Sequence, residues 1–244
     1  MNLFWKTLIF LILIVVTAGS VNGQRYRRPE ETPSTDQAVE GKRINIDRTR
    51  IGIARVRYGG GGDWYADPSS IPNLLKEFRE RTRIRTAKNE AVVSLLDPGV
   101  FSYPFLYITG HGNIDLQKEE LANLRGHLLG GGFLYADDNY GMDESFRAMV
   151  SRLFPERNLV AVALDHAIYH CFYHLEGVPK IHEHDGKPPE GLGVFNGDRL
   201  MIFYTYESDI GDGLEDPDVH GDPPGKREAA VRMAVNILYY ALTY

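Results

Sequence analysis

Two short apolar runs, FLYI at 105–108 and FLYA at 133–136, each end at polar or glycine-rich residues, and the stretch between them has a helical period. Leu121, Leu124 and Leu128 fall on one helical face, and Asp115 stands where a helix N-cap belongs. Gly130, Gly131 and Gly132 then stop the helix before the second run. The pattern predicts a strand–helix–strand unit. Strands apolar on both faces belong in a covered parallel sheet, and such sheets take ligands beyond the carboxyl ends of their strands. Here those ends carry Gly110-His111-Gly112 and Asp137-Asp138-Asn139.

The rest of the chain extends this unit into a mixed α/β order. Residues 51–58 (IGIARVRY) alternate as a strand and run into four glycines, 59–62, followed by Asp63, Trp64 and Tyr65. Consecutive glycines let a ligand or another chain segment approach closely, but this run lacks both phosphate-binding fingerprints, so a turn under Trp64 and Tyr65 is expected. Ile71, Leu74, Leu75 and Phe78 predict a helix capped by Ser69 or Ser70, its charged face solvated. Residues 92–96 predict a brief strand, Phe146, Met149, Val150 and Leu153 a helix from Asp143 to Pro155, and 159–164 and 200–206 two more strands. Ala230, Met233, Ala234, Ile237, Leu238 and Ala241 form the buried stripe of a closing helix over 227–242. Between 165 and 197 no period holds, but the aromatic content predicts an ordered, irregular segment.

Composition then sets limits. With 244 residues, 43% of them hydrophobic, the chain can bury one sizeable core, and a single domain is expected over 44–244. The net charge is −6, and no basic cluster is interleaved with aromatic residues beyond 25–28, which argues against a nucleic-acid partner. Residues 1–23 have a charged entry at Lys6, an apolar centre over 8–16 and a small-residue exit, as a secretory signal does. The mature protein is therefore expected to be exported, periplasmic or extracellular, with no spanning segment after cleavage; an uncleaved anchor is the alternative. Residues 24–43 are polar and proline-containing and read as a disordered linker. Cys171 is the only cysteine, so no internal disulfide forms.

Candidate chemistry gathers from residue 111 onward, where all eight histidines lie. His111, Asp137 and Asp138 at the strand ends are the catalytic candidates. Adjacent strand residues face opposite ways, so only one of the two aspartates is expected in the crevice. Trp64, Tyr65, Asn139, Tyr140, His166 and His170 are expected to form a binding rim. His182 and His184, two apart on an extended segment, point to the same side and with Asp209 are candidate ligands for a divalent metal ion, against the alternative of ordinary hydrogen bonding. Asp209 opens an acidic stretch with Asp212, Glu215, Asp216, Asp218, His220 and Asp222, which suits calcium by ligand type but lacks EF-hand spacing; a solvated loop is the plainer expectation. Cys171 beside His170 fits a buried small hydrophobe better than a nucleophile. His127 falls within the central helix, where a surface or packing role is expected.

Five motifs in order, VRYGGGGDWYADP (56–68), FLYITGHG (105–112), GGGFLYADDNYGMD (130–143), PKIHEHDGKPPEGLGVF (179–195) and DIGDGLEDPDVHGDPPGKREAA (209–230), resemble the bacterial family catalogued as domain of unknown function 4159. The likeness covers nearly all of 51–244. More distantly, the order of strand-GHG, a helix ending in GGG, a strand, then Asp165-His166-Ala167-Ile168 is similar to the class I glutamine amidotransferase-like superfamily, especially its trehalose-utilisation-type members. That resemblance implies a flavodoxin-like, doubly wound, mostly parallel sheet with helices on both faces. In true amidotransferases a nucleophilic cysteine follows the strand at 133–136. Asp137 and Asp138 stand there instead, which puts thiol-based glutamine hydrolysis in doubt.

Two functional expectations follow. One is a non-catalytic, envelope-associated protein that binds a partner protein or a saccharide through an open, aromatic-lined groove without a metal. The alternative to it is a metal-dependent hydrolase acting on a carbohydrate or envelope component, which requires His111, one of Asp137 and Asp138, and at least one of His182, His184 and Asp209 to converge within metal-coordination or hydrogen-bonding reach.

Overall fold

The computed structural model describes residues 49–244; the expected signal at 1–23 and linker at 24–43 lie outside the described residues. Seven strands form one sheet: β1 (Ile53–Val56), β2 (Ala91–Val93), β3 (Phe105–Gly110), β4 (Phe133–Asp138), β5 (Val160–Ala161), β6 (Glu190–Asn196) and β7 (Arg199–Tyr206). Their order is β2-β1-β3-β4-β7-β6-β5, parallel from β2 through β7, with β6 and β5 added antiparallel at one edge. The five parallel strands thus run in flavodoxin order, and the chain is a flavodoxin-like α/β domain.

Strand alternation explains the layers. Ile53, Phe105, Tyr107, Phe133, Tyr135 and Phe203 face α1 (Ser70–Thr82) and α6 (Pro224–Thr243). Ala54, Val56, Leu106, Ile108, Leu134, Ala136 and Ile202 face α2 (Lys118–Leu129) and α3 (Asp143–Leu153). The stripes predicted on α1, α3 and α6 are the buried ones, and each fully buried Leu, Ile or Phe contributes roughly 1.5–3 kcal/mol. Among the described residues no helix is long and apolar enough to cross a membrane.

Four local expectations are corrected. The N-cap of α2 is Gln117, which forms a capping box with Glu120, whereas Asp115 accepts from the Gln117 side chain and from Arg152. The strand predicted over 159–164 is only β5, two exposed residues long. The irregular segment contains β6, a seven-residue strand. The acidic stretch is no solvated loop: it folds into α4 (Ile210–Leu214) and α5 (Pro217–His220), and Asp209 and Glu215 are buried.

Candidate functional site

The parallel pairing brings the strand ends level. Thr109 lies opposite Asp137, Gly110 opposite Asp138, and Asp137 opposite Thr205, so the turns after β3, β4 and β7 open on one edge of the sheet. The glycine run after β1 completes that edge by backbone contact. Gly62 N–H donates to Asn113 O (3.0 Å), Asp63 N–H to His111 O (3.1 Å) and Asp115 N–H to Gly59 O (2.8 Å). A Cβ on Gly62 would sit 2.8 Å from Asn113 O and 2.9 Å from His111 O, so the two turns can approach this closely only with glycine there. The run is therefore a seat for the Gly-His-Gly turn. It also delivers Asp63, whose carboxylate accepts from the His111 N–H and lies 3.1 Å from His111 Nδ1.

Asp137 and Asp138 part to opposite faces, as alternation requires. Asp138 Oδ1 accepts from Tyr140 N–H and Met142 N–H, both at 3.1 Å, and so fastens the turn into α3. Asp137 is fully buried, accepting from Thr205 Oγ1 and from Gly211 N–H at 2.5 Å. Burial lifts its carboxyl to about 7, the nearby Asp209 charge adding to the rise and the Thr205 and Gly211 hydrogen bonds opposing it. Next to it Asn139 Nδ2 donates to Asp67 Oδ2 (2.7 Å), while Thr109 Oγ1 donates to Asn139 Oδ1 (2.7 Å). Asp67 is itself buried, and burial together with the Asp212 charge raises its carboxyl well above the usual range. A Cβ on Gly211 would strike Asp67 Oδ2 and lie 3.1 Å from Asp137 Oδ2, so α4 can lie over these carboxyls only as glycine at that position.

Above this floor the segment after Pro179 meets the β7–α4 turn. His182 Nδ1 lies 2.9 Å from Asp212 Oδ2 and 3.3 Å from Asp209 Oδ2, and its Nε2 lies 3.1 Å from both oxygens of Asp222. His184 Nε2 reaches the same Asp209 Oδ2 at 2.7 Å. Asp209, then Asp212 and Asp222, raise His182 to about 10, and Asp209 raises His184 as well. Burial works to raise Asp209, but the two imidazoles prevail and hold it below the usual carboxylate range. His220 Nε2 approaches Asp212 Oδ1 at 3.5 Å, and ligating atoms of His182, Asp212 and His220 all lie within 4.8 Å of one another.

His182, His184, Asp209 and Asp212 line an open cleft of about 450 Å3 together with His111, Asn139, Tyr140 and Glu183, with His220 and Asp222 behind His182 and Asp212. The backbone around it is strained. Asp67 (φ 52°), Tyr140 (φ 100°), Glu207 (φ 57°) and Asp209 (φ 65°) all hold positive φ, which L side chains avoid, and such residues concentrate at functional sites. The remaining non-glycine example among the described residues, Arg83, is the C-cap of α1.

Of the expected residues, the structure brings together His111, Asp137, Asp138, Asn139, Tyr140, His182, His184 and Asp209 at this edge. The rim is smaller than expected. Trp64 packs edge-on to Tyr65 (5.4 Å) against the core on the α2–α3 side, and neither lines the cleft. His166 lies against Phe195 and Tyr240, whose hydroxyl accepts from Leu200 N–H at the amino end of β7, the opposite edge. His170 is bound to Leu164 O (2.6 Å) and stacked on His174, also away from the cleft. The three histidines at 166, 170 and 174 share no helix: His166 and His170 flank one 3-10 turn, Ala167–Tyr169, and His174 lies beyond it. Cys171 is bonded to Asn236 O (3.3 Å), and burial raises its thiol to about 11, so it is the small packed residue expected. Asp63 and Asp67 had only the glycine run to point to them, and their pairing with His111 and Asn139 has no local signal.

Fold and site together define a flavodoxin-like α/β domain with a histidine–aspartate cleft at the carboxyl edge of its parallel strands. By family-model match over residues 52–242 the chain belongs to the family described as Domain of unknown function (DUF4159). No curated protein matches it.

Proposed function

We propose that this domain is a metal-dependent hydrolase that acts, after export, on a carbohydrate or other envelope component. One observation carries the reading: His111, His182, His184, Asp209 and Asp212 line one cleft, with Asp137 directly beneath. A metal ion held by imidazoles and carboxylates supplies electrophilic polarisation and an activated water, which no thiol is then needed to provide. Around it the chain's own groups have separate tasks. Asp63 fixes the His111 ring through Nδ1, leaving Nε2 to exchange a proton with substrate. Tyr140, half exposed and edge-on to His184 at 5.2 Å, offers a ring face at the lip for a sugar to lie on. Export rests on the sequence of residues 1–23.

A second reading, binding of a saccharide or partner protein without turnover, draws its support from the absence of a cysteine after β4. The aromatic groove it calls for is reduced to Tyr140 at this cleft. Release of reducing sugar from envelope polysaccharide by the purified protein, compared with His111→Ala, separates the two. Loss of turnover in the variant supports hydrolysis. Equal, undetectable release from both, together with retained saccharide binding, supports the second reading.

A further inference from the structure

We propose that His182, Asp212 and His220 hold one divalent ion of the zinc class, with Asp222 orienting His182 and Asp209 completing the ligand set. The proposal deepens the reading above, since it names the metal centre of the same cleft. Three features carry it. First, the ligating atoms of His182, Asp212 and His220 already lie within 4.8 Å of one another, on three segments brought together by the fold. Second, His182 is arranged as a metal-bound imidazole is. Asp222 takes Nε2 with both oxygens at 3.1 Å, which fixes the ring and turns Nδ1 toward Asp209 and Asp212. Third, Asp209 is 3% exposed, lines the cleft, and keeps its Oδ1 buried with no hydrogen-bond partner. A buried carboxylate oxygen left without a partner is costly, and a cation would satisfy it.

The donor set selects the ion. Two imidazoles with carboxylates favour zinc and its transition-metal neighbours, while calcium takes six to eight oxygens. Calcium, weighed for the acidic stretch as the alternative to a solvated loop, fits this set less well: two imidazoles, His182 and His220, belong to it, and Asp216 and Asp218 stay outside it.

The full chain, stripped with chelator and dialysed, is titrated with zinc chloride by isothermal calorimetry. One zinc per chain is expected, at micromolar affinity or tighter. His220→Gln and Asp212→Asn each weaken it by about 100-fold or more, and Asp222→Asn by roughly 10–100-fold, as expected on losing a carboxylate that holds a ligating imidazole in place. Thermal midpoints of the metal-free variants confirm folding, and His220, on a short surface helix, can be replaced without opening the core. His174→Gln, an exposed histidine outside the cleft, leaves the affinity unchanged. No zinc uptake by the wild type, uptake unaltered in both His220→Gln and Asp212→Asn, or calcium bound more tightly than zinc would each overturn the proposal. Because no substrate is present, zinc binding without hydrolysis leaves the metal centre standing and removes only the hydrolase reading.

Discussion

Arg55 gives the sharpest test of how the fold builds its site. It lies in the middle of β1 between β2 and β3, 1% exposed, where a sheet strand would ordinarily bury an aliphatic residue. Its guanidinium donates to Glu90 Oε1 (2.9 Å), Ala66 O (2.6 Å), Asp67 O (3.1 Å) and Trp64 O (3.3 Å), and lies 5.1 Å from the centre of the Tyr107 ring. The side chain therefore ties the Asp63–Asp67 turn to the sheet from below. Arg55→Met fills the space with apolar atoms but leaves Glu90 unpaired and the Trp64 and Ala66 carbonyl oxygens without a donor, while Asp67 O keeps the Ser70 N–H and hydroxyl. Removing one partner of a buried ion pair costs about 3–5 kcal/mol, so a loss of about 4 kcal/mol is expected, a large part of a typical domain's total. In urea, at roughly 2 kcal/mol per molar, that lowers the midpoint by about 2 M. Replacing both partners, Arg55→Met with Glu90→Leu, recovers part of the loss, because the stranded carboxylate is gone. A midpoint for Arg55→Met within about 0.5 M of wild type would refute the reasoning.

Three further outcomes follow from particular contacts. His127 titrates at about 4, because burial and then the Arg199 charge disfavour its imidazolium, against about 6.5 when unfolded. The unfolded chain therefore takes up the proton first as pH falls. Stability from this group is full above pH 6.5 and declines between 6.5 and 4, by about 1–2 kcal/mol from pH 7 to pH 5, and His127→Gln flattens that slope in urea titrations. Gly62→Ala must push the glycine run off the Gly-His-Gly turn and is expected to cost about 2 kcal/mol in thermal unfolding. Asn236, fully buried, donates to Ile168 O (3.1 Å) and Tyr173 O (2.9 Å) and accepts from Tyr173 N–H (2.7 Å), so Asn236→Leu strands three backbone groups and costs about 3 kcal/mol or more in urea unfolding.

The framework was legible because its signals are local. Strands β3, β4 and β7 are continuous apolar runs, and α1, α3 and α6 carry their stripes within four residues. What escaped depends on distant partners. In β6, Gly191 and Gly193 look like strand breakers, yet a Cβ on Gly191 would sit 2.9 Å from the Phe203 ring and one on Gly193 2.9 Å from Val162. They are glycine because neighbouring side chains lie across the strand. Arg55 read as a polar position of an alternating strand, since nothing nearby in sequence shows that Glu90 and three carbonyls wait for it. The site divides in the same way. His111, Asp137 and Asp138 follow from the rule about strand ends, whereas the contacts from His182 to Asp212 and Asp222 span 30 and 40 residues and have no period to betray them. The acidic stretch was misjudged as solvated because its helices are too short for a stripe.

The most direct measurement is anomalous diffraction at the zinc edge from crystals of the zinc-loaded protein. A single peak about 2.0–2.2 Å from ligating atoms of His182, Asp212 and His220, with Asp222 still on the far nitrogen of His182, is the predicted result. A peak at another position, or none, would contradict the account.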